Sequence, residues 1–357
     1  MIVKNEAHVV RRCLDSVKPF IDTWVIVDTG STDGTQGVIE AHLEGLPGEL
    51  HERPWKDFGH NRTEALELAR PKAEYTLLMD ADEVLLTPPG FAWPELTADA
   101  YRICHEVGDS GTSFFLIQLV RSCLPWRYVG VLHEFIECNR PHRTENLEGP
   151  VTKGLFDSAR NRDPKRKYDQ DAQVLEAALR DEPENARYAF YLAQSYRDSG
   201  RLDDAIAAYE RRIEMGGWPE EVWYSLYQIG VLRERQGGDF AAALQAYLRA
   251  FQYRPQRVEP LTCLARYYRQ RNEHAKAFVF ASAAVQIPIP DDILFLERHA
   301  YTWRALDEYC IAAYYVGRVQ ASLDAADRLL GEGHLPEAER RRVEANRRYS
   351  LKALGRR

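Results

Sequence analysis

The chain has 357 residues, a formal charge of −7 and a 45% hydrophobic content. That length exceeds what one ordinary core organises and predicts two domains, while the acidic balance excludes a general nucleic-acid binder. The cysteines (Cys13, Cys104, Cys123, Cys138, Cys263 and Cys310) are scattered without a C-x-x-C pair, which excludes a disulfide frame or a zinc ribbon.

No apolar run is long enough to cross a bilayer and the start lacks a signal-peptide pattern, so a soluble cytoplasmic protein is expected. From the start, Met-Ile-Val-Lys-Asn-Glu turns from apolar to polar at once. Val9, Val10, Cys13, Leu14 and Val17 then recur at helix spacing until Pro19. Residues 24–27 form an apolar strand that runs into Asp-Thr-Gly-Ser-Thr-Asp-Gly-Thr at 28–35, a turn and helix start combined. A third strand is expected at 50–53 and a helix at 61–69. The alternation predicts an α/β unit with a mostly parallel sheet and right-handed crossovers.

Residues 75–79, Tyr-Thr-Leu-Leu-Met, form an uncharged run that reads as a strand buried on both faces. It ends in Asp80, Ala81, Asp82 and Glu83. Ligands of open α/β sheets bind at the carboxyl ends of strands, and alternation would put Asp80 and Asp82 on one side as hard oxygen ligands. Read alone, the stretch fits a solvated acidic turn equally well. Beyond it, 86–94 reads as a proline-rich loop, 114–121 as a strand, and 126–137 as an aromatic cluster containing His133 and Glu134.

Together, Met-Ile-Val-Lys-Asn-Glu, Val-Asp-Thr-Gly-Ser-Thr-Asp-Gly-Thr and Leu-Met-Asp-Ala-Asp-Glu resemble, in order and spacing, the family 2 glycosyltransferases of the GT-A, Rossmann-like fold. The resemblance covers about residues 1–155. It implies that Val3, Asn5 and Glu6 touch the base and ribose of a nucleotide sugar, UDP-hexose for preference. It further implies that Asp28 accepts from the uracil N3–H, a donor suited to a carboxylate, although the family often has two adjacent aspartates where this chain has Asp28 and Thr29. Arg62 would face phosphate or ribose oxygens; an arginine opening a solvated helix is the plainer reading. Asp80 and Asp82 match the family's D-x-D, with Asp80 near the ribose and Asp82 on Mn²⁺ or Mg²⁺ bridging the diphosphate. His133 is expected as a third metal ligand and Glu134 as the general base of an inverting transfer, and the two roles can be exchanged, since strand neighbours point oppositely. Family members carry several residues ahead of this first segment, so a very short or trimmed first strand is expected.

Residues 156–182 read as a basic linker, solvated or helping to hold phosphate, followed by a connecting helix. From 183 to 357 the small-and-aromatic spacing resembles tetratricopeptide (TPR) units of two antiparallel helices. One copy uses Leu192, Tyr196, Gly200, Ala205 and Tyr209; a second uses Trp223, Tyr227, Gly230, Ala243 and Tyr247. A third uses Leu264, Ala265, Tyr268, Ala277 and Ala281, a fourth Ala312, Tyr315 and Ala321, and an arginine-rich helix at 336–354 caps the array. Stretches 188–196 and 216–224 also resemble bacterial glycosyltransferases that fuse such an array to a family 2 domain. An all-α solenoid binding a protein, peptide or glycan acceptor, or pairing two copies, is expected. The alternatives are a non-catalytic scaffold and a nucleotidyltransferase; the latter would carry a glycine-rich phosphate loop where this chain has Lys4, Asn5 and Glu6.

Overall fold

The computed structural model describes residues 1–108, 113–292 and 294–356. It contains two compact units, Met1–Pro183 and Glu184–Arg357. The helix expected as a connector, with the turn before it, lies inside the first unit.

The first unit opens with β1 (Ile2–Val3), α1 (Val10–Val17), β2 (Trp24–Asp28), α2 (Thr35–His42), β3 (Gly48–Glu52), α3 (Phe58–Ala69) and β4 (Tyr75–Leu77). Strands β1, β2 and β3 form a parallel sheet, with Ile2 opposite Val27 and Trp24 opposite Gly48. Helix α1 packs on it because Val10 and Leu14 recur on one face, where they meet Val3, Ile26, Ile39 and Leu43.

The expectation that the acidic strand continues this parallel sheet is corrected. Strand β4 pairs antiparallel with β7 (Ser113–Arg121), Tyr75 opposite Arg121. They belong to a second sheet completed by β5 (Glu83–Leu86), β6 (Ala100–Val107) and β10 (Thr144–Gly154), in the order β4-β7-β6-β10-β5. Only β6 and β10 run parallel. Strand β4 is therefore an edge, and its residues are half-buried, not enclosed on both faces. A largely apolar cavity of about 310 Å³ is lined by Val25 and Ile26 of β2, Leu77 of β4 with Met79 just beyond that strand, and Leu14 and Ala65 of the helices. A small hairpin, β8 (Trp126–Val129) and β9 (Phe135–Cys138), packs against α3, and α4 (Pro164–Asp181) closes the unit.

The second unit stacks α5 (Ala186–Ser199) on α6 (Leu202–Glu214), α7 (Pro219–Gln236) on α8 (Ala241–Tyr253), and α9 (Glu259–Gln270) on α10 (His274–Ala284). Then come α11 (Ala305–Tyr315), α12 (Val319–Gly331) and the cap α13 (Glu337–Ala353). Small residues set the spacing: a Cβ on Gly230 of α7 would lie 2.6 Å from the Tyr247 ring of α8. One continuous core runs from Phe190 through Tyr209, Trp223 and Tyr247 to Leu264, as a stacked repeat array requires.

Candidate active site

The acidic residues sit in a turn beyond β4, where Glu83 N donates to Asp80 O at 3.1 Å. Strand alternation therefore does not set the directions of Asp80 and Asp82. Instead the Glu83 carboxylate turns back to accept from Asp80 N at 3.0 Å. Burial, reinforced by the neighbouring Asp80 charge, pushes Glu83 up to about 8.

Helix α3 aims Arg62 into this turn. Its start is fixed three ways: Asp57 caps His60 N at 2.7 Å, Phe58 N donates to Val131 O, and Thr63 Oγ1 accepts from Tyr128 N at 2.9 Å. Gly59 allows the approach, because a Cβ there would overlap the Gly130 carbonyl oxygen. The Arg62 guanidinium then spans two carboxylates, 2.6 Å from Asp80 Oδ1 and 2.7 Å from Glu134 Oε1, with the Tyr128 ring 5.4 Å away. Burial opposes the charge on Asp80, but Arg62 overrides it and holds that carboxyl below its ordinary range.

His133 and Glu134 are not strand neighbours. They lie in the bend between β8 and β9, and His133 has the left-handed φ of 52°, a conformation non-glycine residues rarely adopt. Glu134 is turned onto Arg62, while His133 is exposed. Among the described residues no three His, Cys, Asp or Glu side chains converge to hold a metal, so His133 is not brought onto Asp80 and Asp82.

Residues of the first two loops form a second cluster. Asp28 is fully buried at the end of β2; its Oδ1 accepts from Gly30 N and Ser31 N, each at 2.7 Å. Its Oδ2 is buried with no hydrogen-bond partner among the described residues. Native structures rarely leave such an oxygen unpaired, so it is a ready acceptor for a ligand N–H. Asn5, at φ 60°, ties the first loop to the second: its N donates to Ser31 Oγ and its Oδ1 accepts from Thr32 N, both at 2.8 Å. Val3 is buried beneath, where its carbonyl accepts from Thr29 N. Glu6 accepts from Ala159 N at 3.2 Å, and burial raises it to about 7.

That last bond exposes a feature absent from the sequence reading. Residues 155–160 run across both clusters. Leu155 N donates to Asp82 O at 3.1 Å, and Asp157 holds Arg12 through two bonds of 2.8 and 2.9 Å. Arg160 stacks 4.6 Å from the Phe58 ring and pairs with Asp171 of α4. The supposed basic linker is thus a fixed strap, and no local pattern in the sequence announces these long-range pairs.

A Mg²⁺ or Mn²⁺ site in nucleotide enzymes uses one or two carboxylates, with phosphates and water filling the rest. The donor set here fits that pattern: the Asp82 carboxylate makes no hydrogen bond or ion pair among the described residues, and Asp80 stands two residues away.

The parallel sheet, the acidic turn and the buried Asp28 belong to one α/β unit, and the chain continues into a helical repeat array. Residues 1–88 match the family described as glycosyl transferase family 2, and residues 157–218 match the tetratricopeptide repeat family. A TPR repeat-containing protein of Synechococcus elongatus is 28% identical over 306 residues, 80% of this chain and 74% of that protein. The SPbeta prophage-derived glycosyltransferase SunS of Bacillus subtilis is 32% identical over 85 residues, 24% of this chain and 19% of its own length. The lipopolysaccharide core biosynthesis glycosyltransferase LpsC of Rhizobium meliloti is 31% identical over 104 residues, 29% of this chain and 37% of its own. The chain joins a family 2 glycosyltransferase domain to a tetratricopeptide repeat array, and no helix among the described residues is long and apolar enough to cross a membrane.

Proposed function

We propose that this glycosyltransferase moves a hexose from a UDP-sugar to an acceptor hydroxyl with inversion, assisted by Mn²⁺ or Mg²⁺. The observation that carries the reading is the buried, unpartnered Oδ2 of Asp28 in one cluster and the Asp80–Arg62–Glu134 constellation in the other. The first suits the N3–H of a uracil. The second offers a guanidinium for diphosphate oxygens and a carboxylate that can take a proton.

In this mechanism Asp28, Val3, Asn5 and Glu6 hold the nucleoside, and Arg62 exchanges carboxylate for phosphate. Asp82 and Asp80 would hold the cation, which supplies positive charge to the leaving diphosphate. Glu134, released from Arg62, takes the acceptor proton as the acceptor oxygen bonds to the anomeric carbon and the bond to the diphosphate breaks. The repeat array would bind the acceptor, a protein, peptide or glycan, or pair two copies of the chain. Incubation with a panel of nucleotide sugars and Mn²⁺, scored for nucleoside diphosphate, tests the reading. Release from UDP-hexoses alone is expected; release from none, with a broad set of acceptors present, overturns it.

A further inference from the structure

Four polar side chains lie buried across four adjacent strands of the second sheet: Gln118 on β7, His105 on β6, Thr152 on β10 and Glu83 at the start of β5. Thr152 stands directly opposite His105 in the parallel register. Gln118 is the extra residue of a β-bulge, because Tyr101 pairs with Leu119 and Arg102 with Ile117. Bulges of this kind re-aim a side chain.

The four are joined in a directed chain. Thr152 Oγ1 donates to Gln118 Oε1 at 2.7 Å. A hydroxyl has one proton to give, so Thr152 accepts from His105, whose Nδ1 lies 3.0 Å away and carries the hydrogen. The same nitrogen is 3.7 Å from Glu83 Oε1, and Glu83 Oε2 accepts from Asp80 N at 3.0 Å. Gly154 gives the imidazole room, since a Cβ there would stand 3.2 Å from Nε2. Burying these groups costs stability that an apolar sheet interior would not. A joined polar network fixes one geometry in return, and this one opens onto the acidic turn through Asp80 N. Strand β10 holds the turn a second time, because Leu155, the next residue after it, donates to Asp82 O at 3.1 Å.

We infer that Gln118, Thr152 and His105 are positioning residues for the acidic turn. They aim the Glu83 carboxylate at Asp80 N and so hold Asp80 and Asp82 where the proposed cation site needs them. The inference rests on the sugar-transfer reading for its purpose, although the three residues themselves touch no substrate.

Thr152→Val keeps the shape and breaks the chain on both sides, whereas Thr152→Ser keeps the hydroxyl. Amide hydrogen exchange on the intact chain, and calorimetry of UDP with and without Mn²⁺, read the two consequences. In Thr152→Val the Asp80 amide should exchange about tenfold faster, the equivalent of one stranded buried partner, while the amides of α1 and β2 stay unchanged. The Mn²⁺-dependent gain in UDP affinity should fall by a similar factor, and the Mn²⁺-free affinity should hold. Thr152→Ser should restore both. Gln118→Leu frees the Thr152 proton to reverse the bond to His105; it should act in the same direction, and it serves if Thr152→Val fails to fold. Wild-type exchange at Asp80 in the broken chain, or an equal change in Thr152→Ser, overturns the inference. Faster exchange beside an undiminished Mn²⁺-dependent gain overturns it too, leaving the network a prop for the fold. A wild-type protein without any such gain overturns the cation reading instead, and the exchange comparison then decides whether the network holds the turn.

Discussion

Arg62 Nε stands 2.7 Å from Glu134 Oε1 while the same guanidinium holds Asp80. One cation therefore neutralises two carboxylates assigned to different tasks. Arg62 and Glu134 are both largely buried, whereas the Asp80 side chain is 37% exposed. Removing the cation leaves Glu134 buried and unpaired, a cost that water around Asp80 reduces. Arg62→Met should destabilise the protein by about 2 kcal/mol, between the values for exposed and buried pairs. Urea denaturation measures this directly, and an unchanged midpoint would show that the pairing adds nothing to stability.

Gly59 sets the geometry of that pairing, because α3 meets the β8–β9 hairpin through it. Gly59→Ala forces the Gly130 carbonyl away and is expected to cost about 1–3 kcal/mol, the usual range for overpacking. Thermal unfolding of the variant checks the sign, since an alanine in an unconstrained helix position would raise stability instead.

Much of this arrangement was legible in the sequence, and what was not has a common cause. Periodicity located α1, β2, α3, the repeat helices and the cap within a few residues, because each has a local signature. It missed β6 and β10 and misassigned the pairing of β4. The Tyr75–Leu77 run looks the same whether its partner is parallel or antiparallel, and that partner, Leu119–Arg121, lies far along the chain. The motifs singled out Asp28 and Asp80, and these residues stand in the two clusters. They did not show that Glu6 would fasten the strap through Ala159, or that His133 would leave strand geometry at φ 52°. Both depend on turns and long-range bonds without sequence periodicity.

Glu6 links that strap to pH. Burial raises its carboxyl to about 7 from an ordinary value of 4.5. Between these values the unfolded chain has lost the proton that the folded chain keeps, so stability falls as pH rises. The contribution is complete below about 4.5 and gone above about 7, on the order of 3 kcal/mol. Glu6→Gln should reduce the slope, leaving the part that Glu83 contributes, while its amide oxygen still accepts from Ala159 N. Urea midpoints at pH 5, 6, 7 and 8 compare the two proteins, and parallel curves would refute the assignment.

Asp82 separates metal binding from folding. Its carboxylate makes no hydrogen bond or ion pair among the described residues, while its main-chain oxygen accepts from Leu155 N. Asp82→Ala should therefore keep wild-type stability and lose the Mn²⁺-dependent part of UDP affinity. Calorimetry with and without Mn²⁺ gives the answer, and unchanged affinity would remove Asp82 from the cation site.

Glu134 tests whether the constellation carries chemistry or only charge. A base acts when the acceptor loses its proton, whereas a group needed for donor binding acts before any acceptor arrives. Glu134→Gln retains the shape and an oxygen facing Arg62 but cannot take the proton. It should bind UDP-sugar close to normally and transfer about two to four orders of magnitude more slowly, the usual contribution of a general base. Arg62→Met should give the converse, weaker donor binding through the loss of a phosphate partner. Measuring donor affinity and single-turnover transfer for both variants in one buffer distinguishes the roles. Transfer by Glu134→Gln at the wild-type rate would assign the proton to another carboxylate. Reduced donor affinity with an unchanged chemical step would instead make Glu134 a support for Arg62, holding the guanidinium ready until the diphosphate arrives.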